Sequence, residues 1–345
     1  MKGAGEAGGA PEASGKIARA ADTVTARVPA KLNLQLAVGP QRADGYHDLV
    51  TVFHAVSLFD EVTVEPAARD AVTVTGEGAD RVPGDQDNLA LRAVAALRSA
   101  VRDSDAAAGV HVTISKRIPV AAGLAGGSAD AAAALVACNE LWASGLSQQQ
   151  LREVGSRVGS DVAFALLGGT VVGRGRGEQL TPALAATTQY HWVLAFANGQ
   201  LSTPEVYAAL DRLRAVRAGD PGGPESPRGS AAAAQAEQQA PDLDAALMSA
   251  LRSGDARLVG RALSNDLQPA AVSLFPPLRK TLTVGLELGA LGALVAGSGP
   301  TCMFLAANAE RALELAVSLS GAGVCRSVAR VAGPVPGAAV VATPQ

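Results

Sequence analysis

Cysteine is scarce and scattered in this chain: Cys138, Cys302 and Cys325 stand alone, with no C-x-x-C pair. That excludes a thiolate zinc knuckle and a disulfide framework, and makes buried, reduced thiols of a cytosolic protein the expectation. Aromatic residues are also rare, at 3% of 345 residues. With few rings to stack on and no Lys/Arg block against a formal net charge of −3, a nucleic-acid platform is excluded. No apolar run reaches the roughly 20 residues of a membrane helix. Residues 1–22 are rich in Gly, Ala, Glu and Ser and lack the apolar stretch of a signal peptide, which argues against secretion and for a cytoplasmic location.

What is present is a chain that is 48% hydrophobic and long enough for two domains. Order is expected from residue 23, with a strand at Thr23–Val28, strand patches within Leu49–Val64, another strand at Val72–Thr75 and a helix over Asn88–Val101 capped by Asp87 or Asn88. Alternation in Val110, Val112 and Ile114 predicts a strand, and the alanine-rich stretch to Leu141 a helix. A second helix is predicted over Ser147–Val158, with Ser147 as its cap. A boundary near Leu180–Gln189 divides a first domain, 23–185, from a second, 186–333, and leaves 334–345 as a tail. The second domain opens on a strand at Trp192–Phe196 and a helix from Pro204 to Val216. Residues 218–241, low in complexity, read as a mobile surface insertion. Helices follow at 242–253, 256–263, 278–288 and 310–319, with short strands around the turn GSGPT. Helices and short strands mixed in both halves give an α+β class, and no internal repeat is visible.

The segment KRIPVAAGLAGGSADAAAALVACN, Lys116 to Asn139, carries the most function. Strand, glycine loop, helix is how a chain presents bare backbone N–H groups to a phosphate; glycine permits close approach and the helix N-terminus adds a positive dipole end. It is not a P-loop, because no Lys follows Gly126 or Gly127. The pattern G-x-G-x-x-G occurs only at Gly3, Gly5 and Gly8, with no strand before it. A glycine loop alone is weak: in a chain with 38 glycines many such turns only close a strand onto a helix. Other segments add weight. PAKLNLQL puts Lys31 and Asn33 on one face of a strand, where a solvated edge lysine is the plainer alternative. RADGYHDL turns at Asp44-Gly45 and presents Tyr46 and His47. GSDVAF sets Asp161 at a helix start, where by itself it would be read as a capping carboxylate.

In this order, these segments resemble the GHMP kinases, a superfamily of small-molecule kinases with three short motifs. PAKLNLQL resembles the first, Pro119-Val-Ala-Ala-Gly-Leu-Ala-Gly-Gly-Ser-Ala the second, and Gly297-Ser-Gly-Pro-Thr-Cys302 the third. RADGYH, which the mevalonate and homoserine kinases lack, is similar to the branch whose acceptor carries cytidine diphosphate. The resemblance spans roughly residues 24–331. It implies a first domain like the second domain of ribosomal protein S5, a ferredoxin-like second domain and an active site in the cleft between them. It implies phosphorylation, by ATP with Mg²⁺, of the 2-hydroxyl of a cytidine-diphosphate-linked methylerythritol on the non-mevalonate route to isoprenoid precursors. Two alternatives stay open: a kinase of a simpler alcohol, and a non-catalytic nucleotide-binding protein of the same fold.

Roles follow residue by residue. The resemblance implies Asp161 as catalytic base with Lys31 beside it, a pairing that chemistry supports: an alcohol needs a hydrogen-bonded base, and an ammonium keeps that base ionised. It implies an ATP loop of Pro119, Val120, Ala121, Ala122, Gly123, Leu124, Ala125, Gly126, Gly127, Ser128 and Ala129, with Ser128 near Mg²⁺, and Lys116 and Asn88 lining the adenosine pocket. It implies that His47 reads the cytosine edge, Tyr46 and Tyr207 stack on its two faces, and Asn33 touches the erythritol end. A monomer or homodimer is expected, with no membrane partner. Three features depart from the pattern. Ala121-Ala122 stands where the family often has Gly-Gly, so another backbone path is expected at the loop's start. GSDV replaces GADV, and the N-terminal tail and the 218–241 insertion have no counterpart.

Overall fold

The computed structural model describes residues 23–101, 109–217 and 240–341; the N-terminal tail and nearly all of the expected insertion therefore lie outside the described residues. Two sheets form the frame. The first strand, β1 (Val24–Gln41), is 18 residues long and pairs antiparallel along its length with β2 (His47–Ala67). It joins into one strand what the sequence divides at Pro29. That proline sits at a register shift between Pro29 and Ala30, where a missing N–H costs least. From Val28 to Leu36 both faces of β1 are covered, so this is a central strand with no solvent side.

β3 (Ala71–Gly76) and β4 (Gly109–Lys116) extend this sheet beyond β2, and β5 (Thr170–Gly175) and β6 (Gln179–Pro182) form a hairpin against the other half of β2. One face is covered by α1 (Leu89–Ala100) and α2 (Gly126–Leu141), with α3 (Gln148–Val158) and α4 (Ser160–Leu167) beside them. Alanine lets α2 lie close to the sheet: Ala129, the run Ala131–Ala134 and Ala137 are all buried. Asn88 caps α1, its side chain accepting from Ala90 N at 2.9 Å, and Ser147 and Gln150 close a reciprocal capping box on α3.

In the second half, β7 (Tyr190–Phe196), β9 (Gly292–Val295), β10 (Cys302–Ala306) and β11 (Ser327–Gly333) form an antiparallel sheet in the order β11-β7-β10-β9. That places the fourth, first, third and second strands side by side, the βαββαβ plan of a ferredoxin-like domain. Among the described residues, five helices fill its first crossover: α5 (Thr203–Arg217), α6 (Ala245–Ser253), α7 (Ala256–Ala262), α8 (Gln268–Leu274) and α9 (Pro277–Glu287). α10 (Ala309–Gly321) fills the second.

The halves share their interior. The larger core runs from Val28 and Leu32 of β1 to Tyr190, Trp192 and Leu194 of β7, while Leu36 and Val38 of β1 belong to the core of the second half. β8 (Ser264–Asn265) pairs parallel with Gln35 and Leu36. Residues 334–341, read from sequence as a tail, return to the first sheet. There Gly169 N donates to Val335 O, Ala338 N donates to Ala165 O, and β12 (Ala339–Val340) pairs with Ala26 and Arg27. No helix among the described residues is long and apolar enough to cross a membrane.

Candidate active site

Three cavities adjoin: two lie on the seam between the halves, and the third is lined by the first half alone. The middle one, of about 420 Å³, is lined by Lys31, Asn33, Asp161, Ser298, Tyr207 and the loop residues Ala121–Gly123 and Ala125–Ser128. Lys31 lies on β1 opposite Ala55, with its backbone N–H donating to Leu124 O at 3.3 Å. Its side chain is 9% exposed. Nζ donates to Asn33 Oδ1 at 2.6 Å, Asn33 Nδ2 donates to Thr51 Oγ1 at 2.8 Å, and the Thr51 hydroxyl donates to Gln35 O at 2.7 Å. Each group donates to the next, so Lys31 is aimed by a chain of side-chain hydrogen bonds. Burial pulls the Lys31 ammonium below its usual pKa of 10.5, and the charge of Asp161 works against that pull. Asp161 itself is in the first turn of α4, behind the cap residue Gly159.

The loop before α2 supplies the opposite wall. No side chain caps α2, so its first N–H groups face a cavity lined by Gly126, Gly127 and Ser128. The path into the helix needs left-handed backbone at Ala121 (φ 55°), Gly123 (φ 78°) and Ala125 (φ 58°). Alanine at 121 thus adopts the positive φ that the sequence led us not to expect of it, whereas Ala122 does not. Gly123 is the position where only glycine fits, since a Cβ there would stand 2.0 Å from Ala296 O. The turn Gly297–Gly299 that it meets is fastened by Asn265, whose Nδ2 donates to both Val295 O and Gly297 O at 2.8 Å. Ser298 and Thr203 hydroxyls meet at 2.9 Å across the same wall. Of the expected loop residues, Leu124 and Ala129 point into the core, and Pro119 and Val120 line a neighbouring pocket.

At one end, a cavity of about 240 Å³ is lined by Pro83, Asn88, Leu89, Lys116, Gly126 and Asp130. Asn88 and Lys116 are here as expected, but both are engaged: Asn88 Nδ2 donates to Pro83 O at 2.7 Å, and Lys116 Nζ bridges the buried carboxylates of Asp60 (2.5 Å) and Asp130 (2.7 Å). At the other end, a cavity of about 480 Å³ is lined by Tyr46, His47, Arg176, Pro204, Tyr207 and Asp211. His47 is buried and hydrogen-bonded through Nε2 to Asp211 at 2.9 Å, with its ring 5.1 Å from that of Tyr207. Burial, and secondarily Asp161, push the Tyr207 hydroxyl up to about 12, so it stays protonated. Tyr46 is exposed, and the Arg176 guanidinium lies 4.5 Å from its ring centroid. The ring expected to stack on cytosine is therefore already stacked against a guanidinium.

Sequence reading passed over Arg176, Thr203, Asn265 and Asp130. Ser298 stood within a noted motif; the others sit in a hairpin, at a helix start, in a two-residue strand and inside an alanine run, with no spacing that marks them.

The two halves match separate family models, "GHMP kinases N terminal domain" over residues 88–169 and "GHMP kinases C terminal" over 247–325. The fold and the cleft are thus those of a GHMP kinase, a class whose phosphate donor is ATP. The chain is 53% identical to the 4-diphosphocytidyl-2-C-methyl-D-erythritol kinase of Thermobifida fusca, covering 92% of this chain and 98% of that one. It is 51% identical to the enzyme of that name from Mycolicibacterium smegmatis, covering 93% and 94%. A crystal structure of 4-(cytidine 5'-diphospho)-2C-methyl-D-erythritol kinase, 32% identical, superposes with a TM-score of 0.66 over 89% of this chain and 98% of that one. Within the GHMP kinases, the chain belongs to the 4-diphosphocytidyl-2-C-methyl-D-erythritol kinase family.

Proposed function

We propose that the protein transfers the γ-phosphoryl group of ATP to the 2-hydroxyl of 4-diphosphocytidyl-2-C-methyl-D-erythritol, releasing ADP, in the non-mevalonate route to isoprenoid precursors. One observation carries the reading beyond family membership: the three cavities are contiguous, and Lys31 and Asp161 lie in the middle one. A nucleotide triphosphate fits along the small cavity and the glycine loop. A cytidine end group fits in the large one, where His47 and Tyr207 form an edge and a face. The acceptor alcohol then meets the γ-phosphate beside Asp161.

Asp161 accepts the hydroxyl proton as the oxygen–phosphorus bond forms and the bond to ADP breaks. The Lys31 ammonium is attracted by the Asp161 carboxylate and sits where negative charge grows on the transferring group. The open N–H groups of α2 bind phosphate oxygens, and the Asn33–Thr51 chain holds Lys31 in place. Tyr46, freed of Arg176, supplies the second ring against the pyrimidine. For Mg²⁺, no cluster of three or more His, Cys, Asp or Glu exists among the described residues, but one carboxylate (Asp161), one hydroxyl (Ser128) and phosphate oxygens suit a cation that keeps much of its water. When bound, the ion neutralises charge on the β- and γ-phosphates.

Coupled ADP release tests the reading directly. Rapid turnover is expected with the cytidyl substrate, and none above background with mevalonate or homoserine. Equal turnover of the simple alcohols would overturn the substrate assignment.

A further inference from the structure

The large cavity and the middle one meet along a short wall, and that wall carries a cation to which the mechanism above gives no task. Five residues line both cavities: Leu49, Ser160, Arg176, Thr203 and Tyr207. Arg176 is the one charged side chain among them. The carboxylates are divided: Asp161 lines only the middle cavity, and Asp211 lines only the large one, where it holds His47. Lys31 lines only the middle cavity and is bonded to Asn33. The rest of the shared wall suits an anion. Ser160 and Thr203 are the first residues of α4 and α5, so two helices bring their positive dipole ends here, and the Tyr207 hydroxyl, pushed up to about 12, keeps its proton.

The fold fixes the backbone of Arg176 and leaves its side chain free. The residue sits in the turn between β5 and β6, flanked by Gly175 and Gly177 with φ of 71° and 99°. Gly177 N donates to Arg174 O at 3.0 Å, and Arg176 N donates to the Glu178 carboxylate at 2.7 Å. The exposed guanidinium has no carboxylate or carbonyl partner among the described residues and rests only on the Tyr46 ring, 4.5 Å from its centroid. A cation over an exposed ring is weakly held, and the donors of the fork stay open.

We propose that Arg176 binds the diphosphate bridge of the acceptor and, in doing so, uncovers Tyr46 for the base. The inference rests on the acceptor lying across these two cavities, as in the function proposed above. Its base and its alcohol are then joined across the shared wall by two phosphates, each with a negative charge. A planar fork of N–H donors matches neighbouring phosphate oxygens, and such charge-assisted bonds are stronger than contact with an exposed ring. The diphosphate draws the guanidinium off Tyr46, and the freed ring is the one the pyrimidine stacks on. A cytidine without phosphates meets a covered ring, and a simple alcohol offers Arg176 nothing. Arg176 thus selects which acceptor is held and leaves the transfer itself to Lys31 and Asp161.

NMR titration of the full chain, with the donor site filled by a non-hydrolysable ATP analogue, measures the affinities of cytidine diphosphate and of cytidine. The two ligands share the base and differ in the phosphates. In Arg176→Gln the affinity ratio of cytidine diphosphate to cytidine should fall by about tenfold or more, with cytidine bound no more weakly than by wild type, because the Tyr46 ring is bare. Arg176→Lys keeps the charge without the fork and should recover part of the ratio. In turnover, Arg176→Gln should raise the KM for the cytidyl substrate by about the same factor and change kcat by less than about threefold. A residue that only holds Tyr46 in place would weaken both ligands together. An unchanged ratio in Arg176→Gln therefore overturns the proposal and leaves the place of the acceptor intact. A wild-type protein that binds neither ligand would refute that placement, and the proposal with it.

Discussion

Gly123→Ala is the most economical probe of how the two halves cooperate. A Cβ on Gly123 would lie 2.0 Å from Ala296 O and 3.0 Å from Gly299 N, so one of the two loops has to retreat by more than about 1 Å to restore van der Waals separation. Ala296 O also accepts from Gly299 N at 2.8 Å, and moving it strains or breaks that bond, at about 1 kcal/mol. The φ of 78° adds roughly 1–2 kcal/mol for any residue with a β-carbon. Together these give a destabilisation of about 2–4 kcal/mol, or a fall in melting temperature of roughly 3–6 °C for a chain of 345 residues. The loop that moves is the one facing the phosphates, and a displacement of about 1 Å can cost on the order of 100-fold in rate. Gly127→Ala makes the control for stability, because its added Cβ meets only the Leu89 side chain at 3.3 Å and alanine is the better helix former. Differential scanning calorimetry and ADP-release kinetics measure both effects. A Gly123→Ala protein that melts within a degree of wild type and keeps its KM for ATP would refute the claim that these loops are held in fixed contact.

Three further outcomes are expected. Asp161→Asn should lower kcat by about 100-fold or more while the KM values change little; near-normal turnover in that variant removes Asp161 from the base role. Tyr207→Ala should raise the KM for the cytidyl substrate by roughly 10- to 100-fold, the worth of one base stacked on a ring, and should leave the KM for ATP within about twofold; an equal rise in both would place the ring elsewhere. His54 is fully buried, bonded through Nδ1 to Thr170 and set between the two sheets against Tyr190 and Trp192. Burial lowers its pKa from 6.5 to about 3, so between those values the unfolded chain binds the extra proton. Stability is therefore complete above about pH 6.5 and lost as pH falls toward 3, by about 2–3 kcal/mol at pH 4.5. Melting curves at pH 4.5 and 7.5 should differ less in His54→Gln than in wild type; an unchanged difference would show that other groups set the acid limit.

Local signals in the sequence were enough to find the glycine loop, its flanking strand and helix, and the capping residues Asn88 and Ser147. Each is specified by neighbours within a few positions. The continuity of β1 was hidden because Pro29 looks like an interruption, and only the register shift shared with β2 makes it harmless. Residues 334–341 carry too short a pattern to read as a strand without the edge of β1 that receives them. The Asp60–Lys116–Asp130 group is invisible locally, since Lys116 is 56 and 14 residues from its partners. Motif resemblance brought Lys31, Asn33, Asp161 and Ser128 to one cavity, yet gave no hint that Arg176 covers the Tyr46 ring or that Asn33 is tied to Lys31 and Thr51.

The return of residues 334–341 to the first sheet has a practical consequence for anyone recombining this enzyme with its relatives. The chain leaves the first half near Tyr190 and re-enters it after Gly333, so the second half is an insert in the first rather than a partner that follows it. A chimera joined once, at the apparent boundary, would mate one protein's β1 edge with another's closing strand and mismatch β12 against Ala26 and Arg27. Swapping the catalytic halves intact takes two junctions, and a fragment ending at Gly333 leaves the edge of β1 bare.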